Sequence, residues 1–232
     1  MNVNKLIVAI ALVATSLSPM ATAARAADAP TVHREGIEWT DAWIVDGNGT
    51  TLPRVLLIGD SITRQYYATV AQGLRGTASV SRVSTSRSVG DPGLVDELAP
   101  TLKAYKWDIV HFNNGMHGWG YTEDEYKKAY PDVIAAIAKL APGAKIIIAL
   151  TTPIVDGPDK STANPRTDRV IARNAAASAF AASKNLPVDD LFAIANGHPE
   201  YFDGGGIHFN PTGVPLEGAQ VVAAITPLLP KK

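Results

Sequence analysis

Cysteine is absent from this chain. That removes disulfides, thiolate metal sites, iron–sulfur clusters and a cysteine nucleophile from consideration. A surplus of charge is absent as well. The formal net charge is −1 over 232 residues, so there is no electrostatic case for nucleic acid or an acidic membrane surface as a partner. Metal-ligand spacing is also missing. His33 and His198 have no companion ligand at a useful interval, so no metal and no cofactor is expected. Asp189 and Asp190 are adjacent and do not form the converging carboxylate pair of a glycosidase. Beyond the N-terminus no apolar run is long enough to span a bilayer, so no stable membrane insertion is expected.

The N-terminus itself reads as a secretory signal peptide. Lys5 precedes an apolar run from Leu6 to Leu17, and small residues follow. Ala24-Arg25-Ala26 offers a cleavage site, with Ala21-Thr22-Ala23 as the competitor. The run is too short for a transmembrane helix. Residues 1–26 are therefore assigned to a leader, and the mature protein to the periplasm or the exterior. Residues 27–52 are polar and contain Trp39 and Trp43. They are expected to lie as an extended segment on the domain, held by those two tryptophans.

From Arg54 onward short β-branched runs alternate with helical periods. "RVLLIGD" is apolar enough for a strand buried on both faces. Ile62, Tyr66, Val70 and Leu74 then recur at helical spacing up to Gly76. Further strands are expected at "ASVSRVS", "WDIVHFNNG", "AKIIIALTTP" and "LPVDDLF", with helices between them. Thr122 and Glu125 form a capping-box pair ahead of a helix expected to kink at Pro131. The alternation predicts one α/β domain, a three-layer sandwich around a mostly parallel sheet. Ligands in such folds bind beyond the C-terminal ends of the strands.

Those strand ends carry the chemistry. Ser61 follows the first strand, Gly90 the second, Asn113 and Asn114 the third, and His208 stands near the C-terminus. A serine hydroxyl needs a base to become a nucleophile, and an imidazole supplies one near neutral pH. Ser61 at a strand-to-helix turn would place its N–H at a helix N-terminus. The Ser61 and Gly90 N–H groups and the Asn114 amide are the candidate oxyanion donors. The register of the third strand is open, so Asn113 and Asn114 could exchange roles. His117 and Arg166, each just past a strand end, are candidate substrate contacts. Asp60 is expected to bond locally in the turn, and His111 to be a packed core histidine. Arg169 and Arg173, with Arg166, read as a solvated helix face. Trp119 and Tyr121 read as structural or pocket-wall residues.

The blocks "IGDSIT", "SRSVGDP", "FNNGMHG" and "GIHFN" together resemble the SGNH hydrolase superfamily, the GDSL-type esterases and lipases. The resemblance spans roughly residues 53 to 228 and implies a flavodoxin-like fold over a domain at 53–232. It implies Ser61 as nucleophile, His208 as base, and Ser61, Gly90 and Asn114 as the oxyanion hole. In the third block Phe112 stands in place of the family's glycine and Gly115 in place of its aspartate. The expected partner is a small-molecule or carbohydrate ester, with a short acyl group such as acetyl. An O-acetyltransferase, a lysophospholipase, a thioesterase and a catalytically impaired glycan binder use the same framework.

One departure stands out. The family's aspartate lies three residues before the histidine, where this chain has Gly205, while Asp203 lies five before it. Three arrangements compete. The glycine run loops out and Asp203 completes a triad with His208 and Ser61, which is the favoured reading. A carbonyl or a distant acid orients His208 instead. Or the site is impaired.

Overall fold

The computed structural model describes residues 31–49, 51–156 and 162–230, so the leader assigned to residues 1–26 lies outside the described residues. Six strands form one sheet in the order β1-β3-β2-β4-β5-β8. They are β1 (Thr40–Trp43), β2 (Arg54–Gly59), β3 (Ser79–Thr85), β4 (Ile109–Asn113), β5 (Lys145–Leu150) and β8 (Val188–Asp190). All neighbours run parallel except β1, which pairs antiparallel with β3. The two-residue strands β6 (Val155–Asp156) and β7 (Thr162–Ala163) form a separate hairpin. The α-helices among the described residues are α1 (Ser61–Gly73), α2 (Leu94–Ala104), α3 (Glu123–Leu140), α4 (Arg166–Lys184), α5 (Leu191–Ala195) and α6 (Gly213–Ile225).

Side chains of each strand alternate between two cores. Leu56, Ile58, Val110, Phe112, Ile146 and Ile148 point to the side covered by α2, α3 and α4. Val55, Leu57, Ile109 and Ile147 point to the side covered by α1, α5 and α6. Strands buried on both faces explain why β2, β4 and β5 read as mostly apolar runs. Thr122 caps α3 through the full capping box with Glu125, and α3 runs as one helix through Pro131.

The five parallel strands follow the doubly wound order of flavodoxin-like folds, with β2 at the point where the order reverses. A crevice opens there between the chain ends leaving β2 and β4. This places the segments after Gly59 and Asn113 side by side. The N-terminal segment docks differently from expectation. Backbone pairing of β1 with β3 holds it, while Trp43 remains 57 % exposed. Trp39 does engage the domain, lying under the Arg64 guanidinium and edge-on to His117.

Candidate active site

β2 ends at Gly59, and Asp60 caps α1 by accepting from Ile62 N–H at 2.9 Å. Ser61 is therefore the first residue of α1, with its N–H among the donors that a helix start leaves free. Asp60 is buried, and burial raises its pKa above the ordinary carboxylate value. The charges of His117 and His208 and the Ile62 N–H pull it back. Its side chain serves the turn, as the sequence suggested.

His208 reaches Ser61 from the other end of the chain. Its Nε2 lies 2.7 Å from Ser61 Oγ. Gln65 of α1 fixes the incoming backbone, accepting from Phe209 N–H at 2.9 Å and donating to Phe209 O. Phe202 and Phe209 pack together beneath the loop. The base is thus held by a two-way clasp to the helix that carries the nucleophile.

The Asp203 carboxylate makes no hydrogen bond to the His208 imidazole among the described residues. Asp203 Oδ1 accepts from Gly205 N–H at 2.8 Å, closing a local turn. Its backbone N–H donates to His208 O at 2.8 Å. Among the described residues no side-chain hydrogen bond joins Asp203 to His208. The reason lies in the glycine run. Gly206 sits at φ +72°, and a Cβ there would fall 2.0 Å from Val155 O. Val155 N–H donates to Gly206 O at 2.9 Å. The run is pinned on the β6 segment, and the Asp203 carboxylate bonds to its own turn.

β4 settles the asparagine register. Asn113 is 3 % exposed and points into the sheet, donating to Ala149 O at 3.2 Å. It does not line the cleft, which corrects its candidacy as a substrate contact. Asn114 faces the loop after β3, accepting from Val89 N–H at 3.0 Å and donating to Arg87 O at 2.9 Å. One of its two amide hydrogens is committed to that clasp, leaving the other for a ligand. Gly90 follows in the same loop, and its N–H lies 3.3 Å from Ser88 Oγ. A Cβ on Gly90 would meet the Tyr121 ring at 2.7 Å, so glycine is needed for that approach.

The cleft beside Ser61 and His208 is also lined by Met116, His117, Trp119, Gly120, Arg166 and Ile207, and by Arg34, Glu35 and Gly36 of the N-terminal segment. His117 and Arg166 are thus among the residues lining the cleft. Glu35 was not anticipated. One oxygen lies 2.8 Å from His117 Nδ1 and the other accepts from Gly118 N–H at 2.7 Å. No motif surrounds Glu35, and the contact joins positions far apart in the chain.

Arg169 and Arg173 are not a solvated face. Arg173 is 1 % exposed and donates to the carbonyls of Gly115, His117 and Gly118 at 2.7–3.1 Å. Arg169 donates to Trp119 O and Tyr121 O and pairs with Glu123 at 2.6 Å. Both guanidiniums also lie against Trp119. The loop after β4 thus hangs on two arginines of α4. Burial lowers the Arg173 pKa.

Behind Ser61, on the α6 side of the sheet, His111 Nε2 lies 2.8 Å from Asp189 Oδ2, both fully buried. Gln220 donates to the other oxygen of Asp189 at 3.0 Å. His111 is the core histidine expected, although its Nδ1 has no partner among the described residues. Glu217 of α6 is fully buried, and neither oxygen has a hydrogen-bond partner among the described residues. Burial, then the negative charges of Asp60 and Asp189, push its pKa well above the usual value. Among the described residues no group of three or more acidic or histidine side chains is placed to hold a metal ion.

This arrangement, a serine at a strand-to-helix turn bonded to a histidine at the switch point of a parallel sheet, is that of a serine acylhydrolase. The GDSL-like lipase/acylhydrolase family model matches residues 57–214, and the chain belongs to that family, which makes it a carboxylic ester hydrolase by class. None of the curated proteins matches the chain significantly. Solved structures of similar fold include a lipase/acylhydrolase from Enterococcus faecalis, with TM-score 0.60, 22% identity and coverage of 78% of this chain and 99% of that one. Est24, a carbohydrate acetylesterase from Sinorhizobium meliloti, has TM-score 0.62 and 15% identity, covering 76% of this chain and 100% of that one. The C-terminal catalytic domain of a Streptococcus pneumoniae peptidoglycan O-acetyltransferase has TM-score 0.55 and 19% identity, over 76% and 94%. At these identities the likeness concerns the fold.

Proposed function

We propose that the protein is an exported serine esterase that hydrolyses short-chain, chiefly acetyl, esters, including esters borne on carbohydrate. The observation that carries the reading is the 2.7 Å contact of His208 Nε2 with Ser61 Oγ at the mouth of the cleft. Ser61 Oγ attacks the ester carbonyl while His208 Nε2 takes its proton. The oxyanion forms against Ser61 N–H, with Gly90 N–H and the uncommitted Asn114 amide hydrogen as further donors. His208 then protonates the departing alkoxide, and the acyl group remains on Ser61. Water attacks the acyl-enzyme with His208 again as base, and Ser61 is regenerated. His117, held by Glu35, and Arg166 contact the alcohol portion.

Export rests on the leader-like residues 1–26, and a short acyl group on the absence of a long apolar lid in the sequence. The carbohydrate acetylesterase and the O-acetyltransferase among the similar folds agree with acetyl as the transferred group. A second reading, a glycan binder without turnover, is favoured by one observation: the acid position beside His208 is vacated, since Asp203 bonds to Gly205 instead. Hydrolysis of para-nitrophenyl acetate separates the two. Ser61→Ala should abolish it, and a fluorophosphonate should label Ser61 in the unsubstituted protein. An unsubstituted protein no faster than Ser61→Ala and inert to the label would leave the binder reading standing.

A further inference from the structure

Two arginines line the cleft, and they differ in how they are satisfied. Arg34 is paired with Glu38 at 2.9 Å and lies 3.8 Å from Asp91. Arg166 has no carboxylate partner among the described residues. Its guanidinium sits 5.1 Å from the centre of the Trp119 ring, a seat that holds the charge without consuming its N–H donors. Arg166 is also the first residue of α4, where the helix dipole disfavours a cation. Apart from that ring, no carboxylate among the described residues pairs with the charge. The acidic group of the cleft, Glu35, makes no ion pair with it; its two oxygens bond to His117 and to Gly118 N–H. The cleft beside Ser61 thus holds one guanidinium without an ion-pair partner among the described residues, seated on an aromatic face.

We propose that Arg166 is a specificity-determining residue that selects esters whose alcohol portion carries a carboxylate, such as an acylated uronate, over their neutral counterparts. The fork of N–H donors matches a carboxylate in a two-point contact. A single unpaired guanidinium suits a monoanion better than a phosphate dianion, which would call for a second cation. The inference rests on the esterase reading of Ser61 and His208.

The test compares two esters that differ mainly in charge, para-acetoxybenzoate and para-acetoxybenzamide, by kcat/KM for acetate release. The unsubstituted protein should prefer the anionic ester by about tenfold or more, the scale of one charge-assisted contact. Arg166→Gln should lower that preference by about tenfold, and Arg166→Lys should keep part of it. Added salt should erode it. Thermal stability of Arg166→Gln should stay close to that of the unsubstituted protein, because loss of the contact with Trp119 and loss of an unfavourable charge at the helix start are of similar size. A preference at or below one, or one unchanged by Arg166→Gln, overturns the proposal while the esterase reading stands. Failure to hydrolyse either ester overturns both.

Discussion

Replacing Asp203 by Asn separates a triad from a dyad. In the structure the Asp203 carboxylate makes one local bond, from Gly205 N–H at 2.8 Å. The asparagine side-chain oxygen can accept the same bond, so the turn survives. The Asp203 backbone contacts, from its N–H to His208 O and from Gly206 N–H to its O, do not depend on the side chain. The expected change in stability is within about 0.5 kcal/mol. A carboxylate that orients the histidine of a working triad is a different matter. Its replacement by the amide costs about 10⁴-fold, or about 5.5 kcal/mol of transition-state stabilisation. The geometry predicts that Asp203→Asn keeps kcat/KM within about threefold, which is under about 1 kcal/mol. The assay is para-nitrophenyl acetate hydrolysis from about pH 5 to about pH 9, beside Ser61→Ala and with thermal unfolding as the control. A loss of about 10³-fold or more in a normally folded Asp203→Asn protein would refute the reasoning. It would mean that the glycine run swings the carboxylate onto His208 during turnover.

Other perturbations test other parts of the site. Glu35→Ala removes both bonds to the loop after β4, and hydrogen bonds to a charged group are worth about 1.5–3 kcal/mol each. Its effect should fall mainly on KM for a sugar ester, with labelling of Ser61 by a small fluorophosphonate little changed; equal loss in both would assign Glu35 to general folding instead. Arg173→Leu strands the carbonyls of Gly115, His117 and Gly118, and urea denaturation should show a loss of about 3 kcal/mol or more; a loss under about 1 kcal/mol would contradict the buried geometry. Glu217→Gln tests the orphaned carboxyl. Burial, then the charges of Asp60 and Asp189, raise its folded pKa well above the ordinary glutamate value, so the folded state binds the proton more tightly than the unfolded state. The protonated group is neutral to stability below the unfolded pKa, and stability falls as pH rises from there toward the folded pKa, by up to about 1.4 kcal/mol per pH unit. Glu217→Gln should flatten that slope, and denaturation curves with parallel pH dependence would refute it.

The parts of the fold that were legible are those in which local pattern and tertiary role agree. The segment "RVLLIGD" could be read as a strand because both faces of β2 are buried, and Thr122 with Glu125 could be read as a helix start because capping is local. β1 could not. It is a four-residue edge strand with mostly exposed side chains, and its pairing with β3 is long-range. Arg173 shows a signal that was present and passed over. It lies on the stripe of Val170, Asn174, Ala177 and Ala181 that α4 buries, so helical spacing alone put a charge on the apolar face. Glu217 follows the same logic on α6, where Gly218, Val221 and Ile225 are buried beside it. Glu35 offered no such cue, because its meaning arises only from contact with His117. Asp203 was misplaced for a backbone reason. The spacing of acid and histidine could be counted, but the path of Gly204, Gly205 and Gly206 is set by contact with Val155.

The two imidazoles of the cleft divide what a catalytic triad joins. His208 has the serine but no carboxylate among the described residues, and His117 has the carboxylate but is tied to the loop after β4. The place of the first pair follows from sheet topology, since the switch point delivers the N-terminus of α1, with Ser61, to the strand ends. The second pair depends on Glu35, which lies outside the span 57–214 that matches the family. Family membership therefore accounts for the acyl-transfer machinery and is silent on the wall formed by the N-terminal segment. Glu35 of that wall and Arg166 of α4 both line the cleft, and differences in substrate would be read there. Contacts with the alcohol portion accelerate the reaction only as far as they tighten in the transition state. If the cleft holds the leaving group by its charge, positioning of the ester against Ser61 supplies rate that a carboxylate behind His208 would otherwise have to supply.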